Sequence, residues 1–189
     1  MLKIKQTLII STLFFTTLFA NAQEIASVEK SVFGAQIGVL GAWVNYEARL
    51  TNKIALRSEI GVDTGLYGRS NSTGYILGAV ITLEPRWYYN LSKRKNKSKR
   101  IDKNSGNFIS IKSSYHPDLI IASSDSNVNL ISDLTIVPTW GIRRHIGNHF
   151  NYEAGIGIGY IHYFNDKDYI IIDEADVAVN LHLRLGYTF

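Results

Sequence analysis

The chain has no cysteine among its 189 residues. That excludes disulfides, a thiol nucleophile and an amino-terminal lipid carried on cysteine. It also lacks any stretch able to cross a membrane as a helix. The one continuous apolar segment, Leu8 to Phe19, is shorter than the roughly 20 residues a span requires. Histidine is sparse: five residues, scattered without metal-ligand spacing on one element, so no metal site is expected. The glycines of Gly155-Ile-Gly-Ile-Gly159 lie within a strand pattern with no helix following, which is not the spacing of a phosphate-cradling or dinucleotide loop. No cofactor is expected.

What is present is alternation. From Val177 to Phe189 every odd position is apolar or aromatic, while Asn180, His182, Arg184, Gly186 and Thr188 hold even ones. A period of two gives a ribbon with one greasy face and one polar face. Six more ribbons precede it, running within 40–50, 54–62, 75–89, 109–116, 133–143 and 150–164. Thr51-Asn-Lys53 and Gly147-Asn-His149 have the composition of tight hairpin turns. Gly68–Thr73, Asp118–Ser126 and Asn165–Ala175 are longer polar or mixed connections.

The amino terminus carries Lys3 and Lys5, the apolar segment, then Ala20-Asn-Ala22. This order predicts a secretory signal peptide over residues 1–22 with cleavage before Gln23. Residues 23–30 then form a short leading segment, and 31–189 one domain.

Net charge needs the same division. Without the two signal lysines, 18 basic residues face 16 acidic ones, or +2. Ser92–Lys103 alone contributes seven basic residues and one acidic, leaving 11 against 15 elsewhere, or −4. The basicity is one loop rather than a nucleic-acid-binding surface, and no nucleic-acid partner is expected. Lys93–Lys103 reads either as a solvated, disordered loop or as an electrostatic contact with anionic lipid headgroups or envelope polymers.

The whole segment after residue 22 resembles small bacterial outer-membrane β-barrels of the OmpA-transmembrane or OmpX type. The signal peptide, the alternating ribbons and the terminal Leu183-Arg-Leu-Gly-Tyr-Thr-Phe189 carry the likeness. It implies an all-β fold, a closed antiparallel up-and-down transmembrane barrel, in an outer membrane whose lipids surround it. It also implies recognition of the last strand by the barrel-assembly machinery, with Tyr187 and Phe189 as contacts. Such barrels close with an even number of strands, so seven ribbons predict an eighth. Ser31–Leu40 is the expected place, with the chain bending near Gly41; the alternative is one long first strand and an eighth in Tyr169–Asp173.

With the polar phase turned inward, Arg49, Arg57, Arg86, Lys112, Arg143 and Arg184 share a lumen with Glu47, Glu59, Glu84, Asp133 and Glu153. An eight-stranded barrel is just wide enough for side chains to fill, and buried charges need partners. Six cations against five anions therefore predict an interior salt-bridge network rather than an open, ion-selective pore. The three glycines are expected to leave room for the arginines opposite. Pro85 and Pro138 sit in matching Thr-x-x-Pro-x-Trp segments and are each expected to mark a bulge; Trp87, Tyr89 and Trp140 fit an interfacial girdle. His116, with Ser113, Ser114, Ser123 and Ser124 near it in sequence, is the best catalytic constellation. It matches no recognised motif, so no catalytic residue is assigned. A non-enzymatic barrel is the first functional reading, with a lipid-modifying hydrolase or acyltransferase and a narrow channel as alternatives.

Overall fold

A computed structural model describes residues 26–69, 72–125, 128–164 and 175–189. The expected signal peptide at 1–22 and the alternative strand at Tyr169–Asp173 lie outside these residues. The described strands are β1 (Ser31–Gly38), β2 (Gly41–Arg49), β3 (Ile54–Arg69), β4 (Ser72–Trp87), β5 (Asn107–His116), β6 (Ile120–Ser123), β7 (Asp133–Ile146), β8 (Phe150–Tyr163) and β9 (Ala175–Thr188). A five-residue helix, α1 (Leu91–Lys95), and a 3₁₀ turn (Asp102–Asn104) lie between β4 and β5.

Eight of these strands close into a ring of antiparallel pairs, β1-β2-β3-β4-β5-β7-β8-β9 and back to β1. The closing seam joins Gly34–Gly38 to Arg184–Thr188. The short β6 stands outside the ring, pairing with β4 through Ile76–Gly78. Ser31 begins the ring and Thr188 ends it, so both lie at one end of the barrel, here termed proximal; the opposite end is distal.

The eighth strand is β1, paired with β2 from Ser31↔Ala48 to Gly38↔Gly41. Only Val39-Leu40 separates the two strands. Gly41 has φ +151°, and a Cβ there would lie 2.0 Å from the Val62 carbonyl oxygen, so this corner needs glycine.

Neither proline makes a bulge. The β3–β4 register passes through Leu56↔Pro85, and the β5–β7 register through Ile111↔Pro138, without a shift. Each proline points outward, and the pairing on its N–H side simply lapses. The missing donor costs a ladder bond but leaves the strand straight. Gly68 and Thr73, expected in a loop, belong to β3 and β4, which pair down to Arg69↔Ser72.

Burial is inverted relative to an ordinary domain. Among the described residues, nineteen polar side chains are buried against eleven apolar ones, whereas Val177, Val179, Leu181, Leu183 and Leu185 are each more than 60% exposed. The small apolar cluster lies at the proximal mouth: Ala26, Val28, Ala55, Tyr88, Leu91 and Phe108, with Ile101 against it. The basic segment is therefore folded rather than a disordered loop. Leu91 anchors it, Arg100 Nη1 donates to the Gly147 carbonyl (2.5 Å) and Lys103 Nζ to that of Asn148 (2.6 Å).

Candidate functional site

Inward positions on six strands place a charged cluster in the proximal half of the lumen. Strand β2 contributes Glu47, β3 Arg57 and Glu59, β4 Glu84 and Arg86, β7 Arg143, β8 Glu153 and β9 Arg184, each at most 3% exposed. Strict alternation puts them there, since Arg57/Glu59 and Glu84/Arg86 are two residues apart on one face.

Glu47 is the hub. It accepts from Arg57 Nη1 (3.2 Å), Arg86 Nη1 (3.4 Å) and Arg143, from Asn104 Nδ2 (2.6 Å) and from the Tyr88 hydroxyl (3.1 Å). Glu153 takes both terminal nitrogens of Arg86 (2.9 and 2.8 Å). Glu84 accepts from Arg86 (2.7 Å) and Ser110 (2.5 Å). Glu59 pairs with Arg57 and receives Arg184 Nη1 on both oxygens (2.9 and 3.0 Å). Two rings cover the cations as well: Arg86 lies 4.2 Å from the Phe108 centroid and Arg184 3.8 Å from that of Trp43. Four arginines thus face four glutamates, a neutral set in which every member is held by a charge-assisted bond.

Three of the sequence-predicted lumen residues stand apart from this set. Arg49 lies near the proximal rim, only part-buried, and its Nε has no hydrogen-bond partner. Lys112 faces the lumen further toward the distal end and makes no ion pair among the described residues. Asp133 sits at the distal rim and accepts from His116 Nδ1 (2.7 Å).

That histidine bridges the lumen. Its Nε2 lies 3.2 Å from Asp63, which also accepts from Trp43 Nε1 (2.8 Å). With carboxylates on both ring nitrogens, His116 turns no lone pair toward a serine. Ser114 bonds Thr82 (2.8 Å), while Ser123 and Ser124 bond backbone carbonyls at Asp125 and Tyr75. The serine–histidine constellation suggested by sequence proximity is not assembled.

The glycines of β8 serve another purpose than the expected one. A Cβ at Gly155 would lie 2.4 Å from His182 Cε1, and at Gly157 2.3 Å from the Pro138 carbonyl oxygen. They admit an imidazole and a close strand approach, not arginines. His182 in turn lies 3.4 Å from Glu153.

Several participants were absent from the sequence-based set. Asp63, Tyr88 and Gln36, which bonds Arg57 Nη2 (2.7 Å), continue the inward phase of β3, β4 and β1. Extending the alternation of β3 and β4 two residues further would have found Asp63 and Tyr88; Gln36 needed the phase of β1, which the ribbons did not supply. Asn104 obeys no period. It enters the lumen from the 3₁₀ turn at φ +62°, a left-handed conformation asparagine tolerates.

The outer surface carries two aromatic bands. Proximally, Phe33 stacks on Phe189 (5.2 Å), Phe189 meets Tyr187 (5.1 Å), Tyr187 meets Phe150 (5.6 Å), and Trp140 Nε1 donates to Tyr89 Oη (2.9 Å). Distally, Tyr115 meets Phe164 (6.2 Å), and His162 lies between Phe164 and Tyr160.

No protein-family model and no curated protein sequence matches the chain. Among solved structures it is similar to Ail, the attachment invasion locus protein of Yersinia pestis, solved in complex with the heparin analogue sucrose octasulfate. The identity is 12% and the TM-score 0.38, over 84% of this chain and 96% of that one. The barrel architecture rests on the strand order itself.

Proposed function

We propose that the protein is a non-enzymatic integral outer-membrane barrel with a sealed, salt-bridged interior, serving envelope integrity or surface interaction. The inverted burial carries this reading. An apolar exterior encircling a charged interior matches a hydrocarbon surround. Aromatic bands at two levels match the two membrane–water interfaces. The closed ring leaves no sheet edge within its wall, which hydrocarbon demands.

The proximal end is then the periplasmic one, the orientation that the resemblance to small outer-membrane barrels implies; its turns at Thr51–Lys53 and Gly147–His149 are short, as periplasmic turns are. The charge network, with Tyr88, Phe108 and Asn104 below it, supports a structural interior over a narrow channel. The outward Tyr187 on β9 and Phe189 just after it are the proposed contacts of the assembly machinery. The exposed Lys93, Lys97 and Lys99 are the part of the basic segment available to anionic envelope polymers or headgroups, since Arg94, Arg100 and Lys103 hold the segment itself.

A cysteine-free chain suits a direct test of residence and sidedness. Asn129→Cys, in the distal connection, is expected to react with a membrane-impermeant maleimide on intact cells. Lys97→Cys is expected to react only after the outer membrane is permeabilised. Equal labelling at both positions in intact cells would contradict the proposed topology.

A further inference from the structure

Above the charged cluster the lumen is not filled. A cavity of about 690 Å³ spans the wall here: its lumen side is lined by Trp43, Lys112, Ser114, Val137, Asn180 and His182, and the rest of it runs along outward-facing Trp140, Ile156, Val179, Leu181 and Leu183. Toward the proximal end it is blind, because the four arginines and four glutamates, then Tyr88 and Phe108, fill the barrel. The Val39-Leu40 turn and His116 border it distally.

Lys112 is the odd member of this lumen. The carboxylates nearest to it in the network are already engaged: Glu59 by Arg57 and Arg184, Glu84 by Arg86 and Ser110. The four-to-four set below is complete without its ammonium, which makes no ion pair among the described residues; Asp63, the further carboxylate that acts on it, is engaged by Trp43 Nε1 and His116. A cation withdrawn from bulk water gains from an anion brought to it. Arg184 is not free to compete, being bound to Glu59 and stacked on Trp43.

The rest of the cup narrows the ligand. Trp43 and Val137 supply apolar wall, and Ser114 and Asn180 supply a few polar groups, the mixture typical of small-molecule sites. At the rim Asp63 and Asp133 flank His116. Two carboxylates beside one imidazole disfavour entry of a multiply charged anion.

We infer that the distal lumen is a binding cup for a small monocarboxylate with an apolar body, its carboxylate held by Lys112. This site is separate from the structural role proposed above and does not depend on it.

The test uses the detergent-refolded full chain, with the Trp43 indole N–H resonance, assigned through Trp43→Phe, as reporter of the cup. Hexanoate is expected to shift it saturably. Lys112→Met is expected to weaken that binding about ten- to hundredfold, the worth of a hydrogen bond to a charged group, while Lys112→Arg retains it. Hexanamide, neutral but of the same shape, is expected to bind the wild-type chain correspondingly less well, a comparison that stays decisive if Lys112→Met does not fold. The inference is overturned if hexanoate gives no saturable shift, if hexanamide binds as tightly, or if a folded Lys112→Met matches the wild type. Inorganic phosphate binding more tightly than hexanoate would overturn it as well.

Discussion

Glu47 shows how much one side chain carries when the barrel interior is charged. Three arginines, a tyrosine hydroxyl and an amide converge on its two oxygens at a position of 0% exposure. Removing one partner from a buried set is costlier than never having had the set, because the survivors remain desolvated. Glu47→Gln is therefore expected to lower unfolding stability by about 3–5 kcal/mol, read as the urea midpoint of the micelle-bound barrel. Arg49→Gln, two residues along the same face but outside the network, is expected to cost clearly less. Equal losses would mean that the network is not what holds the interior. Most of this cluster was legible in the alternation, because a period of two assigns each charge to a face with no knowledge of the fold. The partners were not legible. Which glutamate meets which arginine depends on barrel closure, which brings Arg86 to Glu153, 67 positions along the chain. The role of the β8 glycines was hidden for the same reason: the His182 ring that needs Gly155 arrives from β9.

At the scale of elements, the segment between β4 and β5 departs furthest from its sequence. Seven basic residues in Ser92–Lys103 read as solvated chain because composition does not reveal that Leu91 anchors one end and Asn104 the other. Asp102 is the acidic exception in that run, and Arg100 grips it through two bonds (2.9 and 2.5 Å) while also reaching the Gly147 carbonyl. The hydrogen bond from Arg100 holds the Asp102 carboxyl below its ordinary value of 3.8. A carboxyl whose folded value is depressed stabilises fully above that ordinary value, and the contribution is lost as pH falls through the lower folded one. Both groups are largely solvated, so the effect is local. Amide-exchange protection across 100–104 is expected to hold from pH 7 to 5 and drop below pH 4. Asp102→Asn is expected to remove that step and leave protection lower throughout. A step unchanged in Asp102→Asn would assign it to another carboxyl. The prolines teach a related lesson. An outward proline in a closed ladder loses a bond without shifting register, so a Pro-containing motif was poor evidence for a bulge.

The whole molecule is a closed wall whose two halves of lumen differ in character. The proximal half is packed with a neutral charge network and stoppered by the folded basic segment; the distal half is a lined cup. The evenness of the strand count followed from closure, and β1 was found where the count required it, although its own alternation is short. A membrane barrel requires that this exterior be a lipid surface. Hydrophobic content cannot report this, since a barrel divides its residues evenly between lipid and lumen. The most direct measurement is gel mobility of the carbonate-washed membrane fraction, run with and without boiling. The protein is expected to stay in the washed membranes, and its unboiled band to migrate apart from the boiled one, as a barrel that resists detergent unfolding must. Recovery in the soluble extract, with one mobility before and after boiling, would contradict it.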